Sequence, residues 1–475
     1  TLETTGGQVL LDRVPRRLSY PQTGEGVSQP VYAPIEIRFV QPDGTPGAAT
    51  GETLDSVSAG GRLGGLLDLR DRALPAFADQ VGTLFEGLAR ALNAASDAGS
   101  TVPPPTRLDG RATGLVGTDR AGFTGTAHFA VVGNDGILAA RATVDFDALP
   151  VGATMDDVLA AINTGLNGAA TASLADGRFS LVSNTAGAGV VVAQDAGAPA
   201  MRGGVGLAQF LGLNDLVQSD RALVPSGMTA ADPHGFDTGQ TMRIILRDAN
   251  GRELASDSWT AQAGGSFGDM RDTLNAGPLG DYGAFTLDDL GRMRFQPVTA
   301  ATGARLSIPS DSTDRFGTGM SLSNLFGLSP ADNVSGGAVR ADMLADPRAL
   351  PLAVFDAGAA VGQRALVPGD IGGATAFVDG LSTAVDLGDA GLVSVDGYAA
   401  VTLGRVGTDA AQAQGRLDDA TARRDDAISR RDSFSGVNID EELSQMVVLQ
   451  NSYSASARVI TTASEMFDTL IAMVR

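Results

Sequence analysis

The sequence predicts a multidomain α+β protein: a long antiparallel helical hairpin or bundle domain carrying two inserted β-rich α+β domains. Three observations predict it. Two heptad patterns stand back to back over residues 397–475, the middle of the chain holds an internal repeat, and a helix-spaced stretch at 61–94 precedes that repeat. The expected organisation is a discontinuous rod domain of residues 1–105 and 397–475, repeat-related insertions at 106–221 and 222–337, and a return segment at 338–396.

In chain order, residues 1–59 hold short strand-like runs such as Val31 to Val40, broken by Pro and Gly. From Gly61 to Asn93, Leu63, Leu66, Leu67, Leu74, Phe77, Val81, Leu84, Leu88 and Leu92 recur at helical spacing. Pro75 falls inside this run, so a kink or two abutting helices are expected there. Ser100 to Pro105 reads as a linker.

The repeat is visible as paired motifs. The stretch Phe129 to Ala139 matches Arg243 to Ala255 as strand, turn and strand with Gly136 and Gly251 at the tips. Short helix patterns follow, Met155 to Leu166 and Phe267 to Leu274, and then second hairpins turning at Asp176-Gly177 and Leu290-Gly291. Each copy closes on an aliphatic-glycine motif, Phe210-Leu211-Gly212-Leu213 and Leu325-Phe326-Gly327-Leu328. Duplication of an outward-facing spacer fits this pattern, and chance recurrence of common hairpin chemistry is the alternative.

The last segment carries two long helices. In the first, Leu403, Val406, Ala410, Ala413, Leu417, Ala420, Arg424, Ala427, Arg431 and Phe434 recur at three and four. The second places Ile439, Leu443, Met446, Gln450, Tyr453, Ala457, Ile460, Ser464, Phe467, Ile471 and Val474 on one seam, with Val459, Ala463, Met466, Leu470 and Met473 beside it. A sustained 3.5-residue repeat demands a facing helix, and two adjacent stripes favour a bundle over a two-stranded coil. Each helix spans about 50 Å at ~1.5 Å per residue. Between them, Gly436 can end one helix and Asn438 can cap the next, with Asp440, Glu441 and Glu442 favouring its positive end. The expected assembly residues are Ile439, Leu443, Met446, Tyr453, Ala457, Ile460, Met466, Phe467, Leu470, Ile471 and Val474.

Composition removes much chemistry. The chain has 475 residues, no Cys and a net charge of −21; all 34 of its basic residues are Arg. Disulfides, thiolate metal sites and Cys nucleophiles are excluded, as are the P-loop, Schiff-base and Ser-x-x-Lys lysines. The acidic balance opposes nucleic acid and anionic membranes. No apolar run approaches the ~20 residues that span a bilayer, and the start lacks a signal-peptide apolar region. The two histidines, His128 in a strand-like run and His234 in a turn, are expected as surface or packing residues. Aspartates fall in turns such as Asn134-Asp135-Gly136 and Asp248-Ala249-Asn250-Gly251, where they serve backbone geometry, and the latter lacks the alternate ligands of a Ca²⁺ loop. Gly187-Ala188-Gly189 and Gly204-Val205-Gly206 lack the context of a dinucleotide loop, and Asn333-Val334-Ser335 is a sequon expected by chance. No catalytic, metal or cofactor site emerges.

The stretch SGVNIDEELSQMVVLQNSYSASARVITTASEMFDTLIAMV, Ser435 to Val474, resembles the C-terminal signature of flagellar axial proteins. Within them it is most similar to the hook-associated protein 1 family of hook–filament junction proteins. The segment GGRLGGLLDLRDRALPAFADQVGTLFEGLARALNAASDAG, Gly60 to Gly99, resembles the helix that this family places after its N-terminal region. Family members begin with an amphipathic helix, whereas this sequence opens TLETTGGQVL with no heptads before Leu63. The expectation is a fragment whose C-terminal helix lacks its usual partner. The resemblance implies a secreted, extracellular structural protein of the flagellum, exported by the type III route without a cleaved signal. Its implied partners are a ring of its own copies, the hook protein, a second junction protein on the filament side, and an export chaperone for the C-terminal helix. Two other readings stay open: another axial flagellar protein, or an extracellular glycan-binding or glycan-cleaving protein. One Trp and five Tyr are few for a sugar-stacking platform.

Overall fold

The computed structural model describes residues 1–475 except 5, 21–34, 56–57, 220, 329–333, 335, 388–389, 436–437 and 474–475. Several sequence expectations lie outside the described residues: Val31 to Pro34 of the first strand-like run, Asn333 and Ser335 of the sequon, Gly436 of the inter-helix turn, and Val474. The chain divides into two compact units, Thr1–Ala400 and Val401–Arg475.

The first unit opens with β1 (Leu2–Glu3) and β2 (Val9–Leu11), then the antiparallel sheet β3 (Arg16–Ser19), β4 (Ile35–Val40) and β5 (Pro46–Leu54). Helix α1 (Gly61–Asp68) runs through a π turn at Leu69–Ala73 into α2 (Leu74–Asp97). Pro75 sits in the first turn of α2, where the Leu74 N–H bonds the Leu69 carbonyl. Widening the helix just before a proline relieves the clash of its ring with the preceding turn. The expected kink is therefore a π turn.

The buried face of α2 differs from the expected leucine stripe. Gly82, Gly87, Ala89, Ala91, Asn93, Ala95, Ser96 and Asp97 are buried, whereas of the stripe Leu67 is buried, Val81, Leu84, Leu88 and Leu92 are half-buried, and Leu63, Leu66, Leu74 and Phe77 are exposed. Small residues let neighbours approach closely: a Cβ on Gly87 would lie 2.5 Å from the Leu387 side chain.

The first repeat contains β6 (Arg107–Asp109), β7 (Thr126–Gly133), β8 (Leu138–Asp145), α3 (Met155–Leu166), β9 (Ala170–Ala175), β10 (Arg178–Ser183), β11 (Ala188–Gln194), β12 (Met201–Arg202), β13 (Val205–Gly206), α4 (Leu207–Leu211) and β14 (Val217–Gln218). The second contains β15 (Thr241–Arg247), β16 (Glu253–Thr260), α5 (Phe267–Ala276), β17 (Gly283–Leu287), β18 (Met293–Pro297), β19 (Arg305–Asp311) and α6 (Leu322–Phe326). Their strand orders correspond: β11-β7-β8 with β19-β15-β16, and β10-β9 with β18-β17, β6 being an extra strand on the first copy.

Finer details repeat too. Thr154 with Asp157 and Ser266 with Asp269 form capping boxes at the starts of α3 and α5. Asn163 clamps the backbone N–H and C=O of Ala172, as Asn275 does those of Phe285. Both closing helices end on left-handed glycines, Gly212 and Gly327, at φ 70° and 59°. One hydrophobic core, including Phe129, Phe179, Phe267 and Phe285, runs through both copies.

The return segment adds β20 (Ala338–Val339), α7 (Ala341–Ala345), α8 (Ala374–Ser382), β21 (Ala384–Asp386) and β22 (Leu392–Ser394). Its Ala353, Phe355, Ala359, Ala365 and Leu366 cover Ala130, Val132, Leu138 and Val191. Both faces of β7 are thereby buried, which accounts for its apolar run from Phe129 to Val132. Helix α9 (Val395–Ser435) leads into the second unit, followed by α10 (Ile439–Met473). The expected hairpin needs correction here. Both helices form, but among the described residues they do not pack along their seams: Leu403 and Leu417 are exposed, and Phe434 is 96 % exposed.

Candidate assembly interface

Helix α10 starts where the sequence places it. The Asn438 carboxamide oxygen accepts the Asp440 N–H at 3.1 Å, and the Asn438 carbonyl accepts those of Glu441 and Glu442. Three carboxylates in the first turn then lie at the positive end of the dipole. Ser444, Thr461 and Thr469 return their hydroxyls to carbonyls four residues back, so these groups need no external partner.

The apolar side chains are the unsatisfied part. Ile439, Leu443, Met446, Tyr453, Ala457, Ile460, Met466, Phe467, Leu470 and Ile471 are all exposed, with Phe467 at 68 % and Ile460 at 70 %. At ~100° per residue, Ile439, Met446, Tyr453, Ala457, Phe467 and Ile471 lie on one side of the helix. Val448, Val459, Met466, Leu470 and Met473 lie on another, and all of these are exposed. The seam count passed over Val447, Val448 and Leu449, likewise exposed; four consecutive apolar residues from Met446 were the signal that more than one face was involved.

Burying a large apolar side chain is worth roughly 1.5–3 kcal/mol. For Ile460, Met466, Phe467, Leu470, Ile471 and Met473 together, the unrealised stabilisation is on the order of ten kcal/mol. Helix α9 differs in its second half, where Arg424, Arg430 and Arg431 pair with Asp425, Asp426 and Asp432 on an exposed surface.

The sites where chemistry would be sought hold packing instead. His128 is buried in β7 with Nδ1 3.0 Å from the Thr143 hydroxyl. His234 is buried, accepts the Phe236 N–H at 3.0 Å, and stacks on Phe236 beside Trp259. Burial holds both imidazoles below their ordinary range. Asp135 and Asp248 bond the backbone of their own turns. Among the described residues, no three His, Asp or Glu side chains gather to hold a metal ion, and no helix is long and apolar enough to cross a membrane.

Residues 429–473 match the family model of the flagellar basal body rod FlgEFG protein C-terminal region, which covers all the described part of α10. The flagellar hook junction protein FlgK from Burkholderia pseudomallei is similar at 16 % identity over 91 % of this chain and 73 % of that one, with a TM-score of 0.30. No curated protein matches the chain.

Proposed function

We propose that this chain is a structural component of the extracellular bacterial flagellum, and specifically a hook-associated protein joining hook to filament. One observation carries the reading: the segment that matches the flagellar rod C-terminal family is a capped helix with apolar residues exposed on two faces. A helix built that way gains its stability from neighbours, and its work is mechanical. In this reading α10 enters a shared helical layer with other copies, the hook protein and a second junction protein, while the repeats face outward. Before assembly, the same apolar faces are what an export chaperone would cover. The seam residues Ile439 to Ile471 are the proposed contacts.

The family model describes rod proteins, which supports a second reading as another axial protein of rod or hook. Replacing Phe467 and Ile471 with Asp tests the assembly role directly. The variant chain should fold its repeats normally yet fail to enter flagella. A variant that is incorporated and still supports filament growth refutes the role given to α10.

A further inference from the structure

Helix α2 meets the end of the first repeat through buried polar groups. Asn93 bonds both the N–H and the carbonyl of Val217 at 2.8 Å, and the Ser96 hydroxyl donates to the Asn214 carbonyl at 2.6 Å. Asp97 Oδ1 accepts the Asn214 N–H at 2.7 Å. At the centre of this joint lie two carboxyl groups, Asp97 at 4 % exposure and Asp215 at 1 %. Arg111 reaches Asp215 Oδ2 at 2.8 Å. The other oxygens, Asp97 Oδ2 and Asp215 Oδ1, are buried without a donor, and Asp215 directly follows the Asn214 whose N–H Asp97 accepts.

Two neighbouring buried carboxyl groups, each with an oxygen out of water and without a donor, resist both being charged, and one proton shared between them relieves this. We propose that Asp97 and Asp215 share one proton, so that a carboxylic acid–carboxylate hydrogen bond closes the joint between α2 and the first repeat. Asp97 is the acid and donates from Oδ2 to Asp215 Oδ1, while Asp215 Oδ2 accepts from Arg111. Asp215 and Arg111 are the charged groups that act most strongly on Asp97. Burial, followed by the Asp215 charge, pushes the Asp97 carboxyl well above its ordinary value of 3.8, against the pull of the Asn214 N–H and Arg111. The folded joint therefore holds a proton that the opened joint releases. Its stability is complete below the ordinary aspartate value and is lost as pH rises through the raised one, making the joint an alkali-sensitive latch.

Infrared spectra of the folded wild-type chain, taken stepwise upward from just above the ordinary aspartate range, should contain the carbonyl stretch of an un-ionised carboxylic acid that is missing from Asp97→Asn at the same pH. No such band in the folded wild type overturns the proposal, whether or not the variant folds. Hydrogen exchange at the Asn214 and Val217 amides supplies the second reading. After correction for intrinsic exchange, the wild-type opening equilibrium should rise by up to tenfold per pH unit above the ordinary aspartate range. In Asp97→Asn, whose amide can donate to Asp215 and still accept from Asn214, that slope should vanish. Equal slopes in the two chains overturn the shared proton.

Discussion

Removing the carboxylate of Asp119 tests the joint between the two repeats. Arg315 is fully buried and donates to both oxygens of Asp119 at 2.7 Å, to the Gly114 carbonyl, and to the Pro233 carbonyl at 3.1 Å. Phe316 and Phe267 stack against the guanidinium. Asp119→Ala leaves that cation buried with only the two carbonyls as acceptors. Breaking a buried pair in this way costs about 3–5 kcal/mol, and the surviving carbonyls place the expected loss near the lower end. Arg348→Ala is the control: its pair with Asp346 is exposed on both sides, 91 % and 46 %, and its loss should cost about 1 kcal/mol or less. Urea unfolding followed by the fluorescence of Trp259, buried in the second repeat, reads both. Replacing the pair together, Asp119→Leu with Arg315→Met, should recover most of the loss. An Asp119→Ala chain within about 0.5 kcal/mol of wild type would refute the reasoning, since an unpaired buried guanidinium cannot cost so little.

Further expectations concern the repeat, the histidine and the exposed helix. Asn163→Ala and Asn275→Ala each strip a backbone N–H and C=O of their clamp and should destabilise by similar amounts, about 1–3 kcal/mol; widely unequal losses in denaturant unfolding would argue against equivalent roles. Burial holds His234 below its ordinary value of 6.5, so its contribution is present above that value and is lost as pH falls through the depressed one. His234→Asn should flatten this acid-side loss in unfolding midpoints, and an unchanged pH profile would count against it. In dilute solution the chain should self-associate through α10 or fray from about Ile460. Sedimentation with amide exchange decides this, and a strict monomer protected over 460–473 would contradict it.

Local chemistry was legible in the sequence; long-range pairing was not. Helix α3 runs from Met155 to Leu166 as its spacing predicts, because a capping box starts it and left-handed Asn167 ends it. The glycine-tipped hairpins are equally local, their turns fixed by Asp135, Asp248 and positive-φ glycines. By contrast, Arg315 finds Asp119 across 196 positions, and no spacing rule connects them. The stripe on α1 and α2 was an incomplete guide for a physical reason: periodicity reports where leucines lie, while the most buried residues of α2 are the small ones that permit close approach. In the assembly segment, the heptads located the helix that starts at Ile439. Closure of the seam was not theirs to give, because an apolar stripe specifies that a partner is needed and not where it comes from.

A density map of intact flagella containing this chain tests the central claim most directly. The account predicts α10 packed among helices of neighbouring subunits, with Phe467 and Ile471 enclosed and the two repeats on the outside. Finding α10 exposed to solvent in the assembled structure, or no density for the chain anywhere between hook and filament, would contradict it.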